Sequence, residues 1–183
     1  MRLPKKKYGI IYADPPWFYR DRAASGNRGA SFKYRVLSQD WICKLPVETI
    51  ADANCILFLW ITMPKLNEVM EVIESWGFKY KTCAFTWVKK NRKKPTWFMG
   101  MGNWTRANSE LCLLATRGKP KRISASISSI IDSPREEHSK KPSITRDKIV
   151  ELCGDVPRIE LFARERVPGW DYWGDEVGVS GSP

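Results

Sequence analysis

Two adjacent prolines constrain this 183-residue chain more than any other feature, because of where they fall. An apolar, β-type run, Tyr8-Gly-Ile-Ile-Tyr-Ala13, leads directly into Asp14-Pro15-Pro16-Trp17. Proline fixes its own φ and pushes the residue before it out of the helical region, so a strand ends here and Asp14 and Pro15 stay extended beyond it. A carboxylate, a backbone carbonyl and a ring at a strand end offer two hydrogen-bond acceptors and a flat face. That set suits an exocyclic amine on a planar base. The plainer alternative is a strand-ending turn that buries its tryptophan.

Charge narrows the partner. Lys and Arg number 31 against 20 Asp and Glu, a net +11, and nine Trp accompany them. The excess favours a polyanion, and the aromatics tilt it towards nucleic acid rather than a membrane surface. One domain is expected over residues 1–177, with a flexible tail at 178–183. Cys55 to Ile61 is too short to cross a bilayer, and the apolar stretch after Lys7 is too short for a signal peptide, which together suggest a cytoplasmic protein. Five scattered cysteines with no C-x-x-C pair, and the single His138, argue against a metal site or a disulfide framework.

Periodicity supplies an α/β order. Residues 18–34 read as a long lid-like loop whose Arg20, Arg22 and Arg28 are within reach of phosphates. Ser38 is a candidate helix cap, and a second short helix follows from Val47. Cys55–Ile61 is apolar throughout, as a central parallel strand covered on both faces would be. Pro64 then opens a helix carrying Leu66, Val69, Met70, Ile73 and Trp76, ended by Gly77. Residues 78–88 form the next strand and run into Lys89, Lys90, Arg92, Lys93 and Lys94, read either as a solvated turn or as a phosphate-contacting arm between Trp87 and Trp97. The two glycines of the 97–104 segment lack a third, so no dinucleotide fingerprint is read there. Strands are expected at 110–116, 127–131 and 155–164, and an amphipathic helix between Ile144 and Gly154. Glu160 is an acid inside an apolar strand. It either binds the hydroxyls or amine of a nucleoside cofactor at the strand's carboxyl end or pairs with a buried base.

Asp14-Pro15-Pro16-Trp17 resembles the catalytic motif of the amino-group methyltransferases that use S-adenosylmethionine. Its Trp form looks most like the family containing the catalytic subunit of the eukaryotic mRNA adenosine methyltransferase and its bacterial and phage adenine-methylating relatives. His138-Ser-Lys-Lys141-Pro resembles the segment ahead of that family's cofactor strand, and Glu160-Leu-Phe-Ala-Arg164 resembles the strand itself. Gly169 to Glu176 resembles the closing segment, with Asp175-Glu176 where the family often has Asn-Gln. The excursion holding Asn103, Trp104 and Asn108 resembles the target-side hairpin.

The resemblance implies a single-domain, Rossmann-like methyltransferase fold, circularly permuted because the motif precedes the cofactor strand. It implies catalysis by Asp14, Pro15, Pro16 and Trp17. S-adenosylmethionine would be held by Asp14, His138, Lys141, Glu160, Phe162, Arg164, Asp175 and Glu176, with Lys141 reaching its carboxylate. Trp17, stacked on the base, would contact the substrate together with Tyr19, Lys89, Lys90, Arg92, Lys93, Lys94, Asn103, Trp104 and Asn108. The implied reaction is methylation of adenine N6 in DNA. RNA adenosine, cytosine N4 and a catalytically silent nucleic-acid binder stay open as alternatives. The partner is nucleic acid, DNA ahead of RNA, and the protein a monomer or homodimer.

Overall fold

The computed structural model describes residues 2–17, 37–102, 104–135 and 140–180, and in it the first strand, β1 (Tyr8–Ala13), stops at the two prolines. Helix α1 (Gln39–Cys43) follows, capped by Ser38, whose hydroxyl accepts the Trp41 N–H at 3.2 Å. A 3₁₀ turn at Val47–Thr49 leads into β2 (Ala51–Ile61). A second 3₁₀ turn at Met63–Lys65 precedes α2 (Val69–Ser75), so Pro64 starts a tighter turn than the α-helix expected there. The rest comprises β3 (Lys79–Lys90), β4 (Ser109–Arg117), β5 (Ile130–Pro134), α3 (Ile144–Cys153), β6 (Arg158–Leu161), β7 (Asp171–Gly174) and β8 (Gly178–Val179).

All eight strands join one sheet in the order β5-β3-β4-β2-β1-β6-β7-β8. Strand alternation explains why it is covered on both faces. From β1 and β2, Ile11, Ala13, Leu57 and Leu59 pack with Ile42 of α1 and Val69, Val72 and Ile73 of α2. Their neighbours Ile10, Tyr12, Phe58 and Trp60 pack on the other face with Ile149 and Cys153 of α3. Trp76 closes the first layer by donating its indole N–H to the Ile42 carbonyl at 2.8 Å.

Strand β1 lies parallel to β2 on one side and to β6 on the other. The chain therefore leaves β1 in one direction and returns beside it from the other. The carboxyl ends of β1 and β6 flank a crevice at this reversal of strand order, the usual ligand position in open α/β sheets.

Several expectations shift. Strand β2 is parallel only to β1; on its other edge it runs antiparallel to β4, which is inserted between β2 and β3. Pairing direction is a property of the partner strand, which an apolar run does not encode. The strand expected at 127–131 forms at Ile130–Pro134. That expected at 155–164 shortens to Arg158–Leu161 and is not the last. Gly178–Val179, assigned to the tail, pair with β7, and the Ser180 N–H bonds to the Tyr172 carbonyl at 2.9 Å. The expected lid with Tyr19, as well as Asn103 and His138, lies outside the described residues. No helix among the described residues is long and apolar enough to cross a membrane.

Candidate active site

Asp14 leaves the sheet where β1 ends, and Trp17 fixes the turn that follows. Its ring is 4% exposed within the core, and its indole N–H donates to the Trp60 carbonyl at 3.0 Å. The Trp17 N–H bonds to the Pro15 carbonyl at 2.8 Å, and the Leu37 N–H to the Pro16 carbonyl at 3.0 Å. The expectation that Trp17 stacks on a base is thereby corrected: the ring has no free face. A large ring whose N–H finds an acceptor indoors gains more from burial than from exposure, which is the plainer reading of the motif. The Pro15 carbonyl keeps one lone pair beyond the bond it accepts.

A buried chain of charges runs from the motif. The Lys141 ammonium stands 2.9 Å from Asp14 Oδ2 and 3.2 Å from Glu110 Oε2. Lys89 also donates to Glu110, through Oε1. Burial alone pulls the Lys141 pKa down, but Asp14 and Glu110 outweigh it and hold it above the ordinary lysine value. Burial likewise pushes Glu110 up, and Lys141 and Lys89 overcome this to hold it below the usual carboxylate range. Lys141, expected at a cofactor carboxylate, is instead held between two acids of the protein.

The basic arm divides for a related reason. Strand β3 runs on through Lys89 and Lys90, so these two face acids from the neighbouring strands, Lys90 pairing with Asp132 at 2.6 Å. The Arg92 Nε–H donates to the Arg135 carbonyl at 2.9 Å. Lys93 and Lys94 are exposed, in keeping with a phosphate contact. Lys89 and Lys90 as phosphate contacts are corrected to strand residues in ion pairs.

Glu160 meets Arg146 of α3 through two bonds, Nε–Oε2 at 2.7 Å and Nη2–Oε1 at 3.0 Å. Arg146 also reaches Glu165 at 3.1 Å, and Lys140 reaches Glu165 at 2.7 Å. Burial raises the Glu160 pKa above its ordinary value against the pull of Arg146. The structure thus shows the paired-acid reading of Glu160. Its carboxylate still borders a small hollow shared with Asp14, Lys141, Phe162 and Arg164.

A cavity of about 480 Å³ opens alongside at the β1–β6 crevice. Its walls include Asp14, Pro16, Phe162, Arg164, Asp175 and Glu176, all anticipated from the sequence. They also include Leu37, Trp41 and Trp173, which were not. Trp41 is 42% exposed. Phe162 has a positive φ of 61°, alone among the described non-glycine residues, and sets its ring edge-on to Trp173 at 5.4 Å. Such a backbone costs on the order of 1–2 kcal/mol and persists only where its surroundings hold it. Aromatic walls with carboxylates and a guanidinium at the rim are equipped to grip a flat base that carries hydroxyls and charged ends. Trp104 and Asn108 lie elsewhere, on the connection between β3 and β4, where the Asn108 carbonyl accepts the Lys89 N–H. Glu110 and Arg146 were missed as site residues. Glu110 heads an apolar strand much as Glu160 sits within one, and that signal was available.

Two measurements follow from the charges. Glu160→Gln leaves Arg146 with Glu165 as its charged partner and one amide oxygen in place of a carboxylate, and is expected to cost the apo protein about 3 kcal/mol in denaturant unfolding, the lower end for breaking a buried pair. Unchanged apo stability, with weakened S-adenosylmethionine binding instead, would return Glu160 to the cofactor. Glu110, held below its ordinary 4.5, contributes stability that is present above that value and lost as pH falls through its lower folded pKa. Lys141, held above 10.5, contributes stability present below that value and lost on the alkaline side. Glu110→Gln should therefore flatten the acid limb of the stability–pH curve, and parallel acid limbs for variant and wild type would refute this assignment.

The MT-A70 family model matches residues 8–176. The chain is 36% identical to the type II methyltransferase M.MunI of a Mycoplasma species, across 96% of this chain and 80% of that protein. It is 28% identical to the N(6)-adenine-specific methyltransferase METTL4 of Mus musculus, across 94% of this chain and 38% of that protein. It is 26% identical to the N(6)-adenosine-methyltransferase subunit METTL3 of Danio rerio, across 93% of this chain and 28% of that protein. The chain thus spans most of the first relative and well under half of the other two.

Proposed function

We propose, from the premise that the chain belongs to the MT-A70 family, that it transfers a methyl group from S-adenosylmethionine to the exocyclic N6 amine of adenine in DNA. The observation that carries this is the placement of Asp14: at the carboxyl end of β1, beside the end of β6, on the wall of the 480 Å³ cavity. That volume lies within the ~300–1,000 Å³ of small-molecule sites. The residues present suit the cofactor: Trp41 and Phe162 for its base, Asp175 and Glu176 for hydroxyls or amine, and Arg164 for its carboxylate. Bound there, it supplies an electrophilic methyl group.

The chain's own task is to prepare the amine. Adenine N6 is a poor nucleophile because its lone pair is delocalised into the ring. Asp14 keeps a carboxylate oxygen besides the one bound to Lys141, and Pro15 keeps a carbonyl lone pair besides the one used by Trp17. Accepting hydrogen bonds from the two amine N–H groups at these atoms favours a pyramidal nitrogen, aims its lone pair and stabilises the positive charge that develops; one proton then leaves the methylated nitrogen. Trp17 acts indirectly, by holding the Pro15 turn against β2. With Trp17 buried, the rings at this cavity that stay open to planar groups are those of Trp41 and Phe162, while Trp173, 4% exposed, packs edge-on behind Phe162. The fold reading includes a circular permutation, supported by the motif strand β1 preceding β6 in sequence while lying beside it in the sheet.

DNA is favoured by the relative of which the chain spans 80%, a type II methyltransferase. RNA adenosine is the second reading, favoured by the METTL3 subunit, of which it spans 28%. A cytoplasmic location fits five unpaired cysteines, and a monomer or homodimer completes the proposal.

The direct test is transfer of labelled methyl from S-adenosylmethionine to DNA and RNA oligomers, with the product nucleoside identified by mass spectrometry. N6-methyladenine in DNA is expected. Asp14→Ala should lower turnover by about 10²–10³-fold, the scale for removing one preorganised group. It should leave the fold intact, since Lys141 retains Glu110. Turnover near the wild-type rate would remove Asp14 from the chemistry.

A further inference from the structure

The connection between β3 and β4 folds into a shape that the reaction centre does not explain. It first makes a tight turn: the Asn91 N–H bonds to the Thr96 carbonyl at 2.9 Å and the Phe98 N–H to the Lys89 carbonyl at 2.8 Å. Lys90 lies over the Trp97 ring at 5.4 Å, bracing the return. Beyond it stands a narrow finger. A Cβ at Gly100 would lie 1.9 Å from the Ala107 carbonyl oxygen, and one at Gly102 would lie 2.0 Å from that of Thr105. The two runs are therefore pressed backbone to backbone, which only glycine allows. Their register carries Trp104 to the point of the finger, where it is 99% exposed, with Met99 and Met101 each 64% exposed along it.

Three large apolar side chains on a thin blade, accompanied by exposed Lys93, Lys94 and Arg106, call for a partner, since water is a poor environment for so much clustered apolar surface. The cations fix its charge as negative. The root of the blade adjoins the reaction centre, because Lys89 pairs with Glu110, Glu110 with Lys141, and Lys141 with Asp14.

We propose that this finger is a wedge for duplex nucleic acid: Trp104 enters the base stack and fills the gap left when the target adenine swings out towards Asp14. The inference rests on the reading of the preceding subsection and extends it to a duplex substrate. A paired adenine keeps its amine inside the stack, so a duplex-acting enzyme must extrude it. Inserted apolar side chains are a known means of prising base steps apart. Lys93, Lys94 and Arg106 then contact phosphates on either side of the entry point, setting position without reading sequence.

The test uses the full chain and a duplex that the wild-type protein methylates. Three substrates are compared: that duplex, its target strand alone, and the duplex with an abasic site opposite the target adenine. In Trp104→Ala, the ratio of kcat/KM on duplex to that on single strand should fall at least tenfold, and the abasic duplex should recover most of the loss. With 2-aminopurine at the target position, the fluorescence rise on binding wild-type protein should disappear in the variant. Equal losses on all three substrates would make Trp104 a general stacking contact and overturn the wedge, as would no loss on any. A change in the sedimentation of the protein alone would overturn it too, by showing the finger to be a contact between copies of the chain. Each of these leaves wild-type transfer intact. A wild-type protein that methylates neither DNA nor RNA would instead sink the underlying reading, and the wedge with it.

Discussion

The buried ammonium of Lys141 is the contact on which the rest depends. A charge with so little access to water must be paired, and this one is paired twice, to Asp14 after β1 and to Glu110 in β4. It approaches from the segment before α3, so three distant parts of the chain meet at one atom. Trp60 of β2 underlies the meeting point. Its ring lies 5.6 Å from the Lys141 ammonium, its carbonyl accepts the Trp17 indole N–H, and its own indole N–H donates to the Tyr12 hydroxyl at 2.7 Å. Asp14 is thus positioned by the assembled sheet as well as by its two prolines, and its geometry exists only when β1, β2 and β4 have found their order.

That dependence separates what the sequence discloses from what it withholds. Local stops and periods were legible: the prolines after Ala13, the Ser38 cap, the apolar run of β2 and the helix closed at Gly154 all form where residue chemistry puts them. Pairing was not legible. Nothing in the apolar run at 110–116 states that β4 inserts antiparallel between β2 and β3. Strands β7 and β8, of four and two residues and rich in glycine and tryptophan, are too short for an alternation to emerge. In the site, Asp14 and Pro16 were legible as the end of a strand stopped by prolines, whereas Phe162, Arg164, Asp175 and Glu176 were expected only through the resemblance of their segments to the family. The partners of buried charges were not, because Arg146 and Glu160 meet only through the packing of α3 on the sheet.

Trp17 shows how a motif misleads when it is read as a surface. An indole beside an acid at a strand end invites a stacking role, yet its N–H is satisfied inside the protein and its ring belongs to the core. The division of labour changes accordingly. Asp14 and Pro15 present acceptors, Trp17 holds them still, Trp41 and Phe162 line the cavity with Trp173 packed edge-on to Phe162, and the exposed Trp104 stands apart on its finger. The strained backbone at Phe162 belongs to this scheme, since it falls just past the end of β6 on the wall of the cavity.

The central claim is that the cavity between β1 and β6 is the cofactor site, with Asp14 on its wall. Photolabelling with radiolabelled S-adenosylmethionine, followed by peptide mapping, tests it most directly. The account predicts label on the segments bearing Trp41, Phe162 and Trp173, abolished by excess unlabelled cofactor. Competable label confined to the opposite end of the sheet, on the hollow near Lys121, Cys153 and Val156, would contradict it.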